Sequence, residues 1–303
     1  MIAGVETGGT KVVCGVSSPE RPTELLATRR IPTTTPDETL AAINAFLDET
    51  AGLGTIEALG VASFGPVNVE PDRPRYGWVT GTPKAGWVDT DVLGRIPLAA
   101  AVPTAFLADV GAAALGEHRW GAGVGGRTTA YATVGTGIGV GLVVHGTLVH
   151  GNGYPELGHL LVRRHLLDRF PGTCPFHGDC LEGLASGPAV SARWGADASS
   201  LPADLRKQAH EILGFYLAQL VATTAIAVGV ERMVLGGGVL KAPGVLAETR
   251  RQVPLVTGGP GAGNAVPGDT EAFVVPPALG EFSGLLGAIA AADDARRAAQ
   301  PAA

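Results

Sequence analysis

Apolar and polar positions along this chain lay out an α/β protein with repeated strand–turn–strand units. Residues 2–6 and 11–16 read as two strands joined by Thr7-Gly8-Gly9-Thr10, adjacent glycines that permit positive φ in a hairpin. Leu40, Ile43, Phe46 and Leu47 recur at helical spacing behind Thr35-Pro36-Asp37-Glu38, a capping box with proline at the first helical position. Residues 56–63 predict a buried strand that runs into S-F-G-P. A short apolar strand is expected after Pro97, then a helix over 110–117. Residues 128–146 again read as strand, glycine turn, strand, a distant repeat of residues 2–16. Leu205, Ala209, Ile212, Leu213, Tyr216, Leu217, Leu220 and Val221 form the core stripe of a long helix over 204–228. A strand over 232–235, Gly236-Gly237-Gly238 and another helix follow. A Gly/Pro-rich surface loop is expected over 257–268, and an Ala-rich helix from about residue 282 closes the chain.

Composition narrows the function. At 303 residues the chain can bury a large core, as two domains rather than one. The 46% hydrophobic and 17% charged fractions suit a globular protein, but 45 glycines are about twice the usual share. They cluster in turns, where a bare backbone approaches a ligand closely. A net charge of -6 argues against nucleic acid as the main partner, yet leaves open a nucleotide held by backbone N–H groups. Three cysteines provide no disulfide framework and fit a reducing compartment. Neither a secretory signal pattern nor a run of about 18 uninterrupted apolar residues occurs, so a cytoplasmic protein with no membrane partner is expected.

The candidate chemistry gathers in residues 154–188. Cys174, His177 and Cys180 form C-x-x-H-x-x-C, three zinc-type ligands bent by Pro175 and Gly178. A structural zinc site needs a fourth ligand, for which His159 is the first candidate and His165 the second. Glu156 and Glu182 flank this knuckle and suit the hydroxyls of a sugar. Asp109 opens a helix and reads either as its N-cap or as a general base. Gly8 and Gly9 with Thr10 and Lys11, and the alternate glycines 135, 137, 139 and 141, read as two phosphate-binding turns. Trp78 and Trp87 lie in an irregular loop, to pack it or to stack on a sugar.

Together these stretches resemble the ROK family of sugar kinases, and within it the zinc-containing fructokinase group. The resemblance covers nearly the whole chain, through ETGGTK, SFGP, TPKAGW, DVGAAALGE, TVGTGIGVG, PELGH, CPFHGDCLEGLASGP and LGGGV in that order. It implies the actin-like, hexokinase-type (ribonuclease H-like) ATPase fold, two α/β lobes with a cleft between them. The smaller lobe is expected to hold 1–108 and the C-terminal helix (about 282–303), the larger 109–281. The resemblance implies Asp109 as the base that takes the sugar's proton. It implies Glu156, His159, Glu182 and Gly65 as substrate contacts, and His159, Cys174, His177 and Cys180 around structural Zn2+. Glu6 stands at the position associated with Mg2+. Gly8, Gly9, Thr10, Lys11, Gly135, Thr136, Gly137, Gly139, Gly236 and Gly237 match the ATP contacts.

The implied activity moves the γ-phosphoryl group of ATP to the 6-hydroxyl of a hexose, fructose first, in a homodimer. A broader hexokinase or mannokinase, a glucokinase and a non-catalytic sugar-binding module are the alternatives. The family's repressors carry a DNA-binding domain before the first turn, which here starts within ten residues of Met1, so a repressor is not expected. One departure bears on sugar identity. Many hexose-binding members carry Asn-Asp-x-Asn where this chain has Ala108-Asp109-Val110-Gly111, so two amide side chains are missing.

Overall fold

Two five-stranded sheets carry the fold, one in each of two units, in a computed structural model that describes residues 1–259 and 266–300. The first half of the chain runs β1 (Ile2–Thr7), β2 (Lys11–Ser18), β3 (Arg21–Pro32), α1 (Pro36–Thr50), β4 (Ala58–Ser63), β5 (Trp78–Val79), β6 (Thr90–Asp91), α2 (Leu98–Ala101), β7 (Thr104–Ala108) and α3 (Asp109–Trp120). The rest runs β8 (Thr128–Val134), β9 (Ile138–Val144), β10 (Thr147–Leu148), α4 (Leu181–Ala185), α5 (Gly187–Trp194), α6 (Ala203–Val228), β11 (Arg232–Gly236), α7 (Val245–Thr257), α8 (Thr270–Phe273), β12 (Val274–Val275) and α9 (Ser283–Ala298).

The first sheet has the order β3-β2-β1-β4-β7 and the second β10-β9-β8-β11-β12. In each, an antiparallel hairpin continues into two parallel strands, so the repeat read between residues 2–16 and 128–146 extends to whole sheets. β4 is buried at all six positions, as a parallel strand covered on both faces should be. β3 lies at the edge and is mostly exposed, with charged side chains that discourage further pairing. In the second unit α6 is a buried helix, ended by Gly229 at φ 69°. It is long and apolar enough to cross a membrane by length and composition, and 61% of its most apolar window is buried within the protein.

The first unit comprises Met1–Gly121, Leu148–Tyr154 and Leu279–Ala303, the second Ala122–Thr147 and Pro155–Ala278. This corrects the expected division at residue 109, because α3 belongs with the first unit. Its Glu117, fully buried, accepts from Leu279 N–H (3.0 Å) and Ser283 Oγ (2.7 Å) at the start of α9. Gly116 and Gly287 let the two helix backbones meet where a Cβ would collide.

Local expectations fail in three further places. Residues 98–101 form a short helix, and the apolar strand starts only at Thr104. Gly236-Gly237-Gly238 leads into a 3-10 turn, Val239–Lys241, while the helix waits for Gly244. Neither Gly8 nor Gly9 has a positive φ, so that reason for the glycine pair does not hold. The capping box does form, with Thr35 Oγ1 accepting from Glu38 N–H at 3.3 Å. Part of the expected 257–268 loop, residues 260–265, lies outside the described residues.

Candidate functional site

In the first unit the turn between β1 and β2 is closed by Gly8 N–H donating to Lys11 O (2.8 Å). Thr33 braces it twice, its N–H on Thr10 O (3.0 Å) and its hydroxyl on Gly8 O (2.7 Å). A Cβ built on Gly9 would meet nothing within 4 Å, so the glycine leaves open space and serves no internal packing. Lys11 Nζ lies 3.4 Å from Glu281, which also pairs with Arg30. Both pairs are exposed and add little stability.

Behind this turn Glu6 is partly buried at the start of α9, its carboxylate accepting from Leu285 N–H and its Oε2 buried without a partner. Burial pushes its carboxyl up to about 7; Asp109 adds to the rise and Lys11 opposes it. A buried carboxylate oxygen with no donor fits a cation or a proton. Asp109 is the first residue of α3, and its Oδ1 accepts from Val110 N–H at 2.7 Å. The N-cap position belongs to Ala108, which has no side-chain cap, so the N-cap reading of Asp109 fails.

Gly65 sits in the turn after β4, where a Cβ would run into the Tyr154 hydroxyl. That hydroxyl accepts from Val67 N–H at 3.4 Å. Trp87 is fully buried, bonded through Nε1 to Thr34 O (2.9 Å) and set edge-on to Phe64. It is a packing anchor. Trp78 stays half-buried beneath the Arg75 guanidinium.

In the second unit the turn of residues 135–137 between β8 and β9 is closed by Gly135 N–H on Gly137 O (2.9 Å). Thr136 is exposed at its tip, and Gly139 follows inside β9, opposite Thr133. Gly237, at φ 96°, lies against the backbone of Val134, so Gly236 and Gly237 end beside this turn. Glu182 Oε2 accepts from Ile138 N–H at 2.9 Å, a contact absent from the sequence expectations.

The four predicted zinc ligands converge. Ligand atoms of His159, Cys174, His177 and Cys180 lie within 4.8 Å of one another. His159 Nδ1 is 3.7 Å from Cys174 Sγ and 3.6 Å from Cys180 Sγ, and His177 Nδ1 is 3.8 Å from Cys174 Sγ. Tetrahedral zinc with its usual bond lengths sets S···N separations of about 3.5 Å, so the group fits that ion. Burial pushes the Cys180 thiol up to about 11, with Cys174 beside it adding to the rise. A cation between the sulfurs would reverse that preference. His165 is not among the four; its ring packs on Phe215 and lies 3.8 Å from Glu211. Glu156, exposed, precedes the short turn that presents His159.

The segment between His159 and the knuckle hangs on a buried network that sequence reasoning missed. Asp168 accepts from Tyr216 Oη (2.6 Å) and Arg193 Nη2 (3.0 Å), and the Arg193 guanidinium lies over the rings of Phe170 and Trp194. Burial holds the Arg193 guanidinium below its usual value, against the pull of Asp168. Partners 25 and 48 residues apart leave no local pattern to read.

Known proteins extend this picture. The model of the ROK family matches residues 2–295. A putative fructokinase of Bacillus subtilis is 38% identical over 298 residues, covering 98% of this chain and 97% of that one. A fructokinase of Zymomonas mobilis is 41% identical over 292 residues, covering 95% of each. Among solved structures, a ROK family glucokinase from Streptomyces griseus in complex with glucose and AMPPNP matches with a TM-score of 0.72 at 25% identity. It covers 98% of this chain and 99% of that one.

Proposed function

The chain belongs to the ROK family, and on that footing we propose that it is an ATP-dependent sugar kinase that phosphorylates the 6-hydroxyl of a hexose, fructose before others. The observation that carries this reading is the end-to-end likeness to two fructokinases at 38 and 41% identity.

Phosphoryl transfer asks a protein mainly to position its reactants and to neutralise charge. In this reading Gly8, Gly9, Thr10, Lys11, Gly135, Thr136, Gly137, Gly139, Gly236 and Gly237 are the residues that contact ATP. Asp109 accepts the proton of the attacking hydroxyl. Glu156, His159, Glu182 and Gly65 hold the sugar. Magnesium, when bound with ATP, supplies positive charge to the phosphates. Glu6, whose buried Oε2 has no donor, is the carboxylate of this chain suited to sit nearest that ion. Zinc is structural, since His159, Cys174, His177 and Cys180 fill all four of its positions.

Three free cysteines suit a cytoplasmic setting. Leu161, Leu166, Leu167 and Phe176, all exposed, offer apolar surface to a second copy, which supports a homodimer. The preference for fructose is supported by the fructokinase relatives and by the missing amides at Ala108 and Gly111. Without those groups discrimination relaxes, and some turnover of mannose accompanies that of fructose. The test is incubation with ATP, magnesium and a hexose, with the product's phosphate located by NMR. A hexose 6-phosphate is expected; no sugar-dependent release of ADP would leave only a binding module.

A further inference from the structure

We infer that Glu182 is a positioning residue for the nucleotide, acting through Ile138, so that the metal-bearing segment holds the second phosphate turn in shape. The inference rests on the kinase reading and adds to it a residue that serves sugar and nucleotide together.

Glu182 is the second residue of α4, two positions beyond Cys180 at the N-cap. Its Oε2 accepts from Ile138 N–H at 2.9 Å, where β9 leaves the turn. A Cβ on Gly137 would stand 2.7 Å from the same oxygen, so the turn keeps a glycine where the carboxylate comes up against it. The other end of the turn is held from the same segment, by Gly187 N–H on Gly135 O at 2.7 Å. Between the two grips, Ser186 N–H donates to Glu182 O at 3.1 Å.

On its far side this segment joins the ligand cluster. Cys180 Sγ approaches His159 Nδ1 at 3.6 Å, and Leu181 N–H donates to Leu160 O at 2.9 Å, next to that histidine. Residues 180–187 therefore touch the metal ligands at one end and both ends of the glycine turn at the other. A turn rich in glycine has no side chains of its own to set its shape. A hydrogen bond from an amide to a carboxylate is about twice as strong as a neutral one, and here it acts on the first residue after the turn. The second carboxylate oxygen can still accept a sugar hydroxyl.

If this is right, nucleotide affinity depends on Glu182 even when no sugar is present. The experiment measures the Kd of a non-hydrolysable ATP analogue with magnesium by calorimetry, without sugar, for wild type, E182A and E182Q, with zinc content determined for each. E182A should bind about tenfold more weakly while keeping its zinc. E182Q retains an acceptor oxygen and should stay within about threefold of wild type. Unchanged affinity in E182A overturns this inference alone, whereas a wild-type protein that binds no nucleotide overturns the kinase reading with it. E182A that loses zinc along with nucleotide, or E182Q as weak as E182A, also contradicts the inference. Should E182A fail to fold, E182D keeps the charge but shortens the reach, and wild-type affinity in that variant overturns the inference.

Discussion

The turns at residues 8–10 and 135–137 occupy the same place in two sheets of like order, yet different chemistry holds them. The first is braced by a neutral side chain, Thr33, 25 residues on from Gly8 just past the end of β3, and backed by the partly buried carboxyl of Glu6. The second is braced by Glu182, 44 residues on from Ile138 and two beyond a metal-ligand cysteine. Topology set the position of each turn, and the brace sets what disturbs it. On this account a pH change in the neutral range should act on the first through Glu6, and metal loss should act on the second through residues 180–187.

Replacement of Cys174 should damage the second turn most. C174S is expected to lose the zinc, about one per chain in wild type by metal analysis, and most of its activity. Structural zinc is worth ~10–16 kcal/mol in small peptides, so the loss should also appear as a lower melting temperature. Full activity in a zinc-free, folded preparation would show that the knuckle needs no ion.

A smaller but sharper break falls on the first unit. D109N keeps shape and removes the proton acceptor, so kcat should drop at least ~10²-fold with sugar affinity little changed. A rate near wild type would leave Asp109 without the role assigned to it.

The smallest effect tests Glu6. Its folded pKa, about 7, exceeds the ordinary carboxyl value of 4.5, so between these pH values the native protein holds a proton that the unfolded chain has released. Wild-type stability should therefore fall as pH rises through that window and level off above it. E6Q carries no such group, so its stability relative to wild type should improve between pH 5 and pH 8, by roughly 2 kcal/mol. Urea unfolding without divalent cations measures this; equal differences at both pH values would mean that Glu6 titrates normally when folded.

Much of this layout was legible in the sequence because its signals are local. Helical spacing revealed α6, turn glycines located both hairpins, and C-x-x-H-x-x-C carried three of four ligands within seven residues. What escaped were contacts between distant residues. No pattern near Glu117 announces its bonds to Leu279 and Ser283, so the sequence alone does not tie α3 to the first unit. Likewise nothing near Glu182 points to Ile138, nor near Lys11 to Glu281, 270 residues away. Trp87 looked like a sugar platform as readily as a packing anchor, since a tryptophan in a loop carries the same letter in both roles.

The central claim is a kinase that prefers fructose, and the most direct measurement is kcat/KM for fructose, mannose and glucose side by side under ATP and magnesium. Fructose should lead, with mannose turned over more slowly. Glucose ahead by tenfold or more would contradict the preference and leave the phosphotransfer standing.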